Sequence, residues 1–288
     1  MKDYVIFSDS GCDIEQELLD KWGVGLIDLT FHTDSDATEY RQSEMPIAEF
    51  YDRMTAGTVF KTSAANENAV RDGFIPKLKE GLDILYICFS SGLSGTAGTA
   101  KVTVEQLLKE FPERRITVID TLCASAGEGL MLYYAVKAKE AGLDMDTVAA
   151  GVYEKLPHLC HWFTVDDLVY LKRGGRVGAV AAFFGGVLNI KPVLHVDDEG
   201  HLIPVVKVRG RMNSIKGLAK RYRETALDPA HGEYFISHGA CLEDAKKLES
   251  MIEAEFGNKA THISDIGPVI GAHSGPGTLA LFFLGKQR

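Results

Sequence analysis

The residues best suited to chemistry in this chain stand where an apolar run stops. Asp83-Ile84-Leu85-Tyr86-Ile87-Cys88-Phe89 has the length and character of a strand, and Ser90-Ser91-Gly92-Leu93-Ser94-Gly95-Thr96 follows it. A helical pattern then continues through Leu108. Backbone N–H groups and the positive end of a helix dipole meet at such a turn, so it can hold an anion. Ser90, Ser91, Ser94 and Thr96 add hydroxyl donors for carboxylate or phosphate oxygens. The same residues also suit an ordinary strand-to-helix turn, with glycine supplying unusual dihedrals and a hydroxyl capping the helix. Both readings stand at this level.

Four further turns have this composition: Ser8-Asp9-Ser10-Gly11-Cys12-Asp13, Thr62-Ser63-Ala64-Ala65, Asp120-Thr121-Leu122-Cys123-Ala124-Ser125 and His273-Ser274-Gly275-Pro276-Gly277. All are expected at strand ends, where ligands of open α/β sheets bind. Several together point to a polar pocket for a small anionic group. Helix capping is the competing account for Asp9, Ser10 and Asp13, and for Thr62-Ser63 ahead of Glu67. Enzyme signatures fail one by one. Gly92-Leu93-Ser94-Gly95-Thr96 has Thr96 where a nucleophile elbow needs its second glycine. No Gly-Lys-Ser/Thr phosphate loop occurs, and Gly174-Gly175-Arg176-Val177-Gly178 lacks dinucleotide-binding spacing. His158, Cys160 and His161 are close in sequence without the arrangement of a metal site.

Composition sets outer limits. With 288 residues, 45% hydrophobic and 25% charged, the chain fits a soluble globular protein, most simply two domains sharing a cleft. A net charge of −9 argues against general nucleic-acid binding. Tyr4-Val5-Ile6-Phe7 opens a strand with no basic-then-apolar leader before it, so a signal peptide is not expected. The apolar stretch Val177–Ile190 is too short and too glycine-rich to span a bilayer. Five dispersed cysteines without a Cys-x-x-Cys pair fit reduced thiols in a cytoplasmic protein.

The elements that must position the turns alternate. Strands are expected at Tyr4–Ser8, Leu26–Phe31, Ile84–Phe89 and Ile116–Ile119, and helices at Ile14–Trp22, Pro46–Ala56, Glu67–Lys79, Gly95–Leu108 and Ser125–Glu140. Pro46 sits at a helix start, with Ile47, Phe50, Tyr51 and Met54 on one face. This alternation predicts a parallel sheet with helices on both faces. Beyond a boundary placed at 152/153, Lys191–Val196 and His201–Lys207 flank the turn-like Asp197-Asp198-Glu199-Gly200 as a hairpin. Helices at Asn213–Ala226 and Leu242–Glu255 and strands at Tyr234–Ser237, Thr261–Asp265 and Thr278–Leu284 complete a second α/β domain (153–288) with a mixed sheet. Two features stay open. Ala179–Leu188, with Phe183, Phe184 and Val187, reads as buried core or as part of an apolar cavity wall. Lys172, Arg173 and Arg176, then Lys207, Arg209, Arg211, Lys216, Lys220, Arg221 and Arg223, with no acidic residue between Val205 and Arg223, form either a solvated face or a docking patch for an acidic partner or a phosphorylated ligand.

Taken in order, several motifs resemble the DegV family: Phe7-Ser8-Asp9-Ser10, Lys61-Thr62-Ser63, Phe89 to Thr96, Val118-Ile119-Asp120-Thr121, Leu171-Lys172-Arg173-Gly174-Gly175-Arg176, Asn189 to Leu194, Lys207 to Arg211, and Ile270 to Gly277. Together they cover nearly the whole chain. The resemblance implies a two-domain α/β protein with a long-chain fatty acid buried between the domains. It further implies a cytoplasmic subunit of a fatty acid kinase, with a place in phospholipid metabolism. A partner kinase phosphorylates the bound carboxylate, and the binding subunit performs no chemistry alone and needs no cofactor. By position, Thr62, Ser63, Ser94, Gly95, His273 and Ser274 would hold the head group, and Arg173 and Arg209 would face the kinase. The chain departs from the family in Ala64-Ala65 after Thr62-Ser63, in Ser8-Asp9-Ser10 at the start, and in the acidic loop His32–Arg41. Neutral donors would leave the carboxylate transferable, where a buried arginine pair would hold it more firmly. A stand-alone esterase or acyltransferase using Ser94 and His273 is the alternative, and a regulatory, DNA-interacting module built on Lys207–Arg223 is a third.

Overall fold

A computed structural model describes residues 3–176 and 190–288. The apolar runs become the central strands. β1 (Tyr4–Asp9), β2 (Gly25–Ile27), β6 (Asp83–Cys88) and β7 (Ile116–Asp120) form a parallel sheet in the order β2-β1-β6-β7. β1 and β6 are buried along their whole length, as strands covered on both faces must be. Side chains alternate accordingly. Val5, Phe7, Ile84 and Tyr86 pack under α3 (Glu67–Lys79) and α4 (Thr96–Glu110), while Ile6, Leu85 and Ile87 face α5 (Ala126–Glu140) and α6 (Met145–Lys155).

The second sheet is mixed, in the order β10-β9-β8-β13-β11-β12. Its strands are β8 (Leu159–Thr164), β9 (Ile190–Val196), β10 (Leu202–Arg209), β11 (Tyr234–His238), β12 (His262–Asp265) and β13 (Leu279–Leu284). Only β11 and β12 run parallel; the other pairs are antiparallel. α8 (Arg211–Thr225) and α9 (Leu242–Phe256) cover one face. The other face packs on α5, whose residues share one apolar core with Ile6 and Leu85 of the first sheet and Phe163, Phe235 and Phe282 of the second. α5 is therefore a shared layer. Gly127 lets it approach Cys123 and Phe282, where an added Cβ would collide with both side chains. The boundary expected at 152/153 falls inside α6, and sheet membership changes between β7 and β8.

The expected strand Leu26–Phe31 is two strands in two sheets. β2 ends at Ile27, opposite Asp9, because β1 turns there into a 3-10 turn at Ser10–Cys12 and offers no further partner. The Ser10 hydroxyl accepts the Leu29 N–H (2.9 Å) and bends the chain away. β3 (Thr30–Thr33) then joins β4 (Asp36–Arg41) and β5 (Phe60–Ser63) in an antiparallel sheet ordered β4-β3-β5. Charge-rich β4 carries no apolar alternation, and β5 is only four residues long, so neither is signalled by pattern. Aromatic packing fixes this small sheet: Phe50 of α2 (Ile47–Thr55) lies 4.6 Å from Phe60 and 5.8 Å from Phe31 between ring centroids. Phe50, Tyr51 and Met54 are buried as the pattern required, while Pro46 is the residue before the helix rather than its first. Because β5 carries Thr62, truncating this aromatic core should loosen the site. Phe50→Ala is expected to cost about 3–5 kcal/mol in a urea unfolding titration.

Candidate functional site

Between the sheets, at the N-terminal end of α5, lies a mainly apolar cavity with a few convergent polar groups, the character of a small-molecule site. Its walls come from both halves of the chain. Leu29, Phe89 and Ala124 belong to the first, Phe163, Leu202 and Ala280 to the second. Apolar groups dominate, and polar side chains gather on a few elements: Thr62 and Ser63 at the end of β5, Ser94 before α4, Arg176 after α7 (Val169–Arg173), and His273 and Ser274 at the end of α10 (Pro268–Ser274).

α10 was unexpected as a helix. Its glycines and the following Gly275-Pro276-Gly277 read as a turn, yet Pro268 at its first position is a helix-start signal. The His273–Gly277 turn thus stands at a helix C-terminus ahead of β13, not at the carboxyl end of a strand. Gly271 is required by packing, since a Cβ there would come within 2.7 Å of the Tyr51 hydroxyl oxygen.

Thr62 and His273, 211 positions apart, meet at 2.7 Å between Oγ1 and Nε2. Burial, with the nearby Arg176 charge adding to it, pushes the His273 pKa down to about 4, so the imidazole is neutral near pH 7. Its Nδ1 edge abuts Gly174, where a Cβ would collide with it. Arg176 donates through Nη1 to the Gly174 carbonyl (2.7 Å) and through Nε to the Leu93 carbonyl (3.1 Å). It belongs to the cavity wall, so a wall of purely neutral donors is corrected to one containing a fixed guanidinium. The Leu171–Arg176 run had contained Arg176, but nothing in the pattern separated it from its basic neighbours.

The Ser94 hydroxyl lies 2.9 Å from Thr96 Oγ1 and accepts the Thr96 N–H (3.2 Å), so it helps to start α4 while lining the cavity. Thr96 Oγ1 in turn accepts the Ala65 N–H. Capping and ligand-facing roles coexist here. Gly95 begins the helix, and a Cβ there would meet nothing nearer than Ala64 at 3.9 Å. Ser63 donates to Glu39 of β4 (3.0 Å). Ser274 Oγ is buried with no partner among the described residues, a hydroxyl that a ligand at the cavity mouth would satisfy. Thr62 and Ser63 do not cap α3; Asn66 does, accepting the Ala69 N–H. Ser94 and His273 do not form a nucleophile–base pair, because each is engaged elsewhere.

The remaining turns build the frame. Asp9 accepts the Gly11 and Phe89 amides and the Tyr86 hydroxyl, pinning the head of the glycine loop. Asp13 takes the Ser125 hydroxyl (2.5 Å) and the Gly267 N–H (2.9 Å), tying the 3-10 turn to the starts of α5 and α10. Ser90 donates to the Gly200 carbonyl (3.2 Å), so the β9–β10 hairpin turn seats on the glycine loop. Gly92 has no room for a Cβ there, the Glu199 and Gly200 carbonyl oxygens being 2.7 Å away. Ala179–Leu188 lies outside the described residues. Arg173 and Arg209 are exposed, on α7 and edge strand β10. Much of the basic segment is locally neutralised: Arg211 pairs with Asp244 (2.7 Å), Arg223 with Glu255 (2.5 Å), and Lys220 and Arg221 with Glu224. Among the described residues no cluster fits a metal ion, and no helix is long and apolar enough to cross a membrane.

An α/β fold of two main sheets, holding an apolar cavity with hydroxyl, imidazole and guanidinium groups at its polar end, defines a small-molecule-binding protein. The chain belongs to the DegV family: the family model described as "Uncharacterised protein, DegV family" matches residues 3–286. A DegV domain-containing protein of Clostridium perfringens is 39% identical over 100% of this chain and 99% of its own. A fatty-acid-binding DegV family protein from Thermus thermophilus superimposes with a TM-score of 0.89 at 28% identity, covering 99% of this chain and 100% of that one. A stearic acid-binding protein from Eubacterium ventriosum gives 0.89 at 26% identity, over 98% of each chain.

Burial raises the Asp13 pKa to about 7, against the opposing hydrogen bonds from Ser125 and Gly267. A folded-state value above the unfolded one means that this group stabilises the fold at low pH, and that the contribution is lost between about pH 4 and pH 7. Asn at this position can still accept from Gly267 and donate to Ser125. The melting temperature of Asp13→Asn relative to wild type should therefore rise between about pH 4 and pH 7 and level off above. A difference that does not change with pH would contradict this assignment.

Proposed function

We propose that the protein binds a long-chain fatty acid in this cavity and presents its carboxylate to a partner fatty acid kinase for acyl-phosphate formation, without catalysis of its own. The observation that carries the reading is the pairing of an apolar cavity with the Thr62–His273 contact, Ser94, Arg176 and the orphaned Ser274 hydroxyl. Fatty-acid binding by the Thermus and Eubacterium proteins, which share the fold, supports it.

In this reading the tail supplies most of the affinity, at about 0.8 kcal/mol per buried CH₂. The head group needs donors because a carboxylate taken from water without them is strongly disfavoured. Thr62 Oγ1, held 2.7 Å from Nε2 of neutral His273, stands beside the carboxylate position. Ser94, Ser274 and the Gly95 amide just ahead of α4 complete the set, and Arg176 supplies the balancing charge. Ser63 stands at the rim. One arginine already committed to two carbonyls holds the anion less tightly than a bidentate pair would, which suits a carboxylate that must react while bound. Arg173 and Arg209 would meet the kinase.

Native mass spectrometry of the purified protein should show an adduct of fatty-acid mass that solvent extraction removes. Thr62→Ala and Ser94→Ala are each expected to weaken fatty-acid binding by about 1–3 kcal/mol in a titration, the penalty for a buried charge losing a donor. Unchanged affinity in both variants would overturn the assignment of the head-group end. Arg173→Glu and Arg209→Glu should bind fatty acid normally and support less acyl phosphate when mixed with a fatty acid kinase. Weaker lipid binding would move those arginines to the ligand.

A further inference from the structure

The inner wall of the cavity carries a polar group that the head-group chemistry does not use. His161 of β8 is 5% exposed and lines the cavity. Its ring lies 4.5 Å from Phe282 and 5.5 Å from Phe163 between centroids. Nδ1 is held 3.2 Å from Cys123 Sγ, which fixes the ring orientation. Burial drives its pKa well below the usual histidine value, so the ring is neutral. Among the described residues the hydrogen bonds of His161 run through Nδ1, to Cys123, and through its backbone carbonyl, to His195, and none reaches the opposite ring nitrogen, Nε2. A saturated tail laid against the ring would close that nitrogen off from water without giving it a partner, which is costly for a polar atom. A leucine or phenylalanine would serve a plain alkyl chain better.

Other wall hydroxyls are occupied. Ser125 Oγ is shared between Asp13 and Ser237, and Thr278 Oγ1 donates to the Ser274 and Gly275 carbonyls. His161 also stands at a defined depth. It faces Phe282 across the β8–β13 pair, three residues beyond Leu279, and Leu279 follows directly on the His273–Thr278 turn. At roughly 3.3 Å per residue that places it about 10 Å along β13 from the end of that turn, level with an acyl chain rather than with its head group.

We infer that His161 is a specificity residue that recognises a mid-chain hydroxyl, so that the preferred ligands are hydroxylated long-chain fatty acids rather than plain ones. The geometry allows Nε2 to donate to or accept from that hydroxyl, with Cys123 fixing the ring at its other edge. This inference rests on the fatty-acid reading above and deepens it.

The test compares delipidated wild type and His161→Phe by calorimetric titration with mid-chain hydroxystearate and with stearate. Wild type should favour the hydroxy acid at least tenfold, and His161→Phe should bind stearate as well as wild type while losing that preference. Stearate binding by the variant reports its folding. Should the variant not fold, the imidazole ¹⁵N resonances of wild-type His161 decide, since they should shift with hydroxystearate and not with stearate. Equal preference in both proteins, no selective shift, or a preference for oleate over stearate without one for the hydroxy acid would overturn the inference. Failure of wild type to bind any fatty acid would instead remove the reading on which it rests.

Discussion

The burial of α5 on every side is the constraint on which the rest of the structure depends. Most surface helices bury one stripe and leave the other wet. α5 is buried almost continuously from Ala126 to Leu132, with one sheet on each side, and its glycines admit Phe282 and Cys123 from one direction and Cys12 and Ile14 from the other. Two sheets that share a helix cannot also touch where that helix begins. The gap left there, ahead of Ala126, is the cavity. Its polar end is then furnished by whatever stands at the edges of the gap: the end of β5, the start of α4 and the end of α10.

Electrostatics at that polar end follow from the same burial. Desolvation keeps His273 neutral, and the neighbouring guanidinium reinforces this, so the imidazole acts as a hydrogen-bond relay rather than as a second cation. The buried acids Asp9 and Asp13 are spent on amides and hydroxyls of the frame. The chain thus separates its charged groups by task. Carboxylates hold loops in place, and none is among the described residues that line the cavity.

Much of this was legible in the sequence because the parallel sheet is built from fully buried runs, such as Ile84–Cys88, followed by hydroxyl- and glycine-rich turns. α3 is found at its expected limits, and the hairpin at Asp197–Gly200 lies where its turn residues put it. Failures came where tertiary partners decide. Leu26–Phe31 divides because β1 ends, a fact about another strand. β4 and β5 are strands because they pair with β3 beneath Phe50, and α10 hides behind glycines kept for the Tyr51 contact. The residues proposed for the head group come from family motifs, whereas the wall positions of Arg176 and His161 depend on side-chain direction, which no linear pattern records.

One feature carries a mechanical meaning. The carbonyls of Glu199 and Gly200 sit against Gly92 so closely that no side chain fits between them, and Ser90 bonds to the second. The loop that presents Ser94 and the hairpin that presents Arg209 are therefore coupled like two teeth of one gear. Force applied along the outer edge of β10 is transmitted through a few ångströms of rigid backbone to the threshold of the cavity. Backbone amides in the two segments should accordingly open to solvent exchange as one cooperative unit, on a common timescale, although more than a hundred residues separate them in the chain.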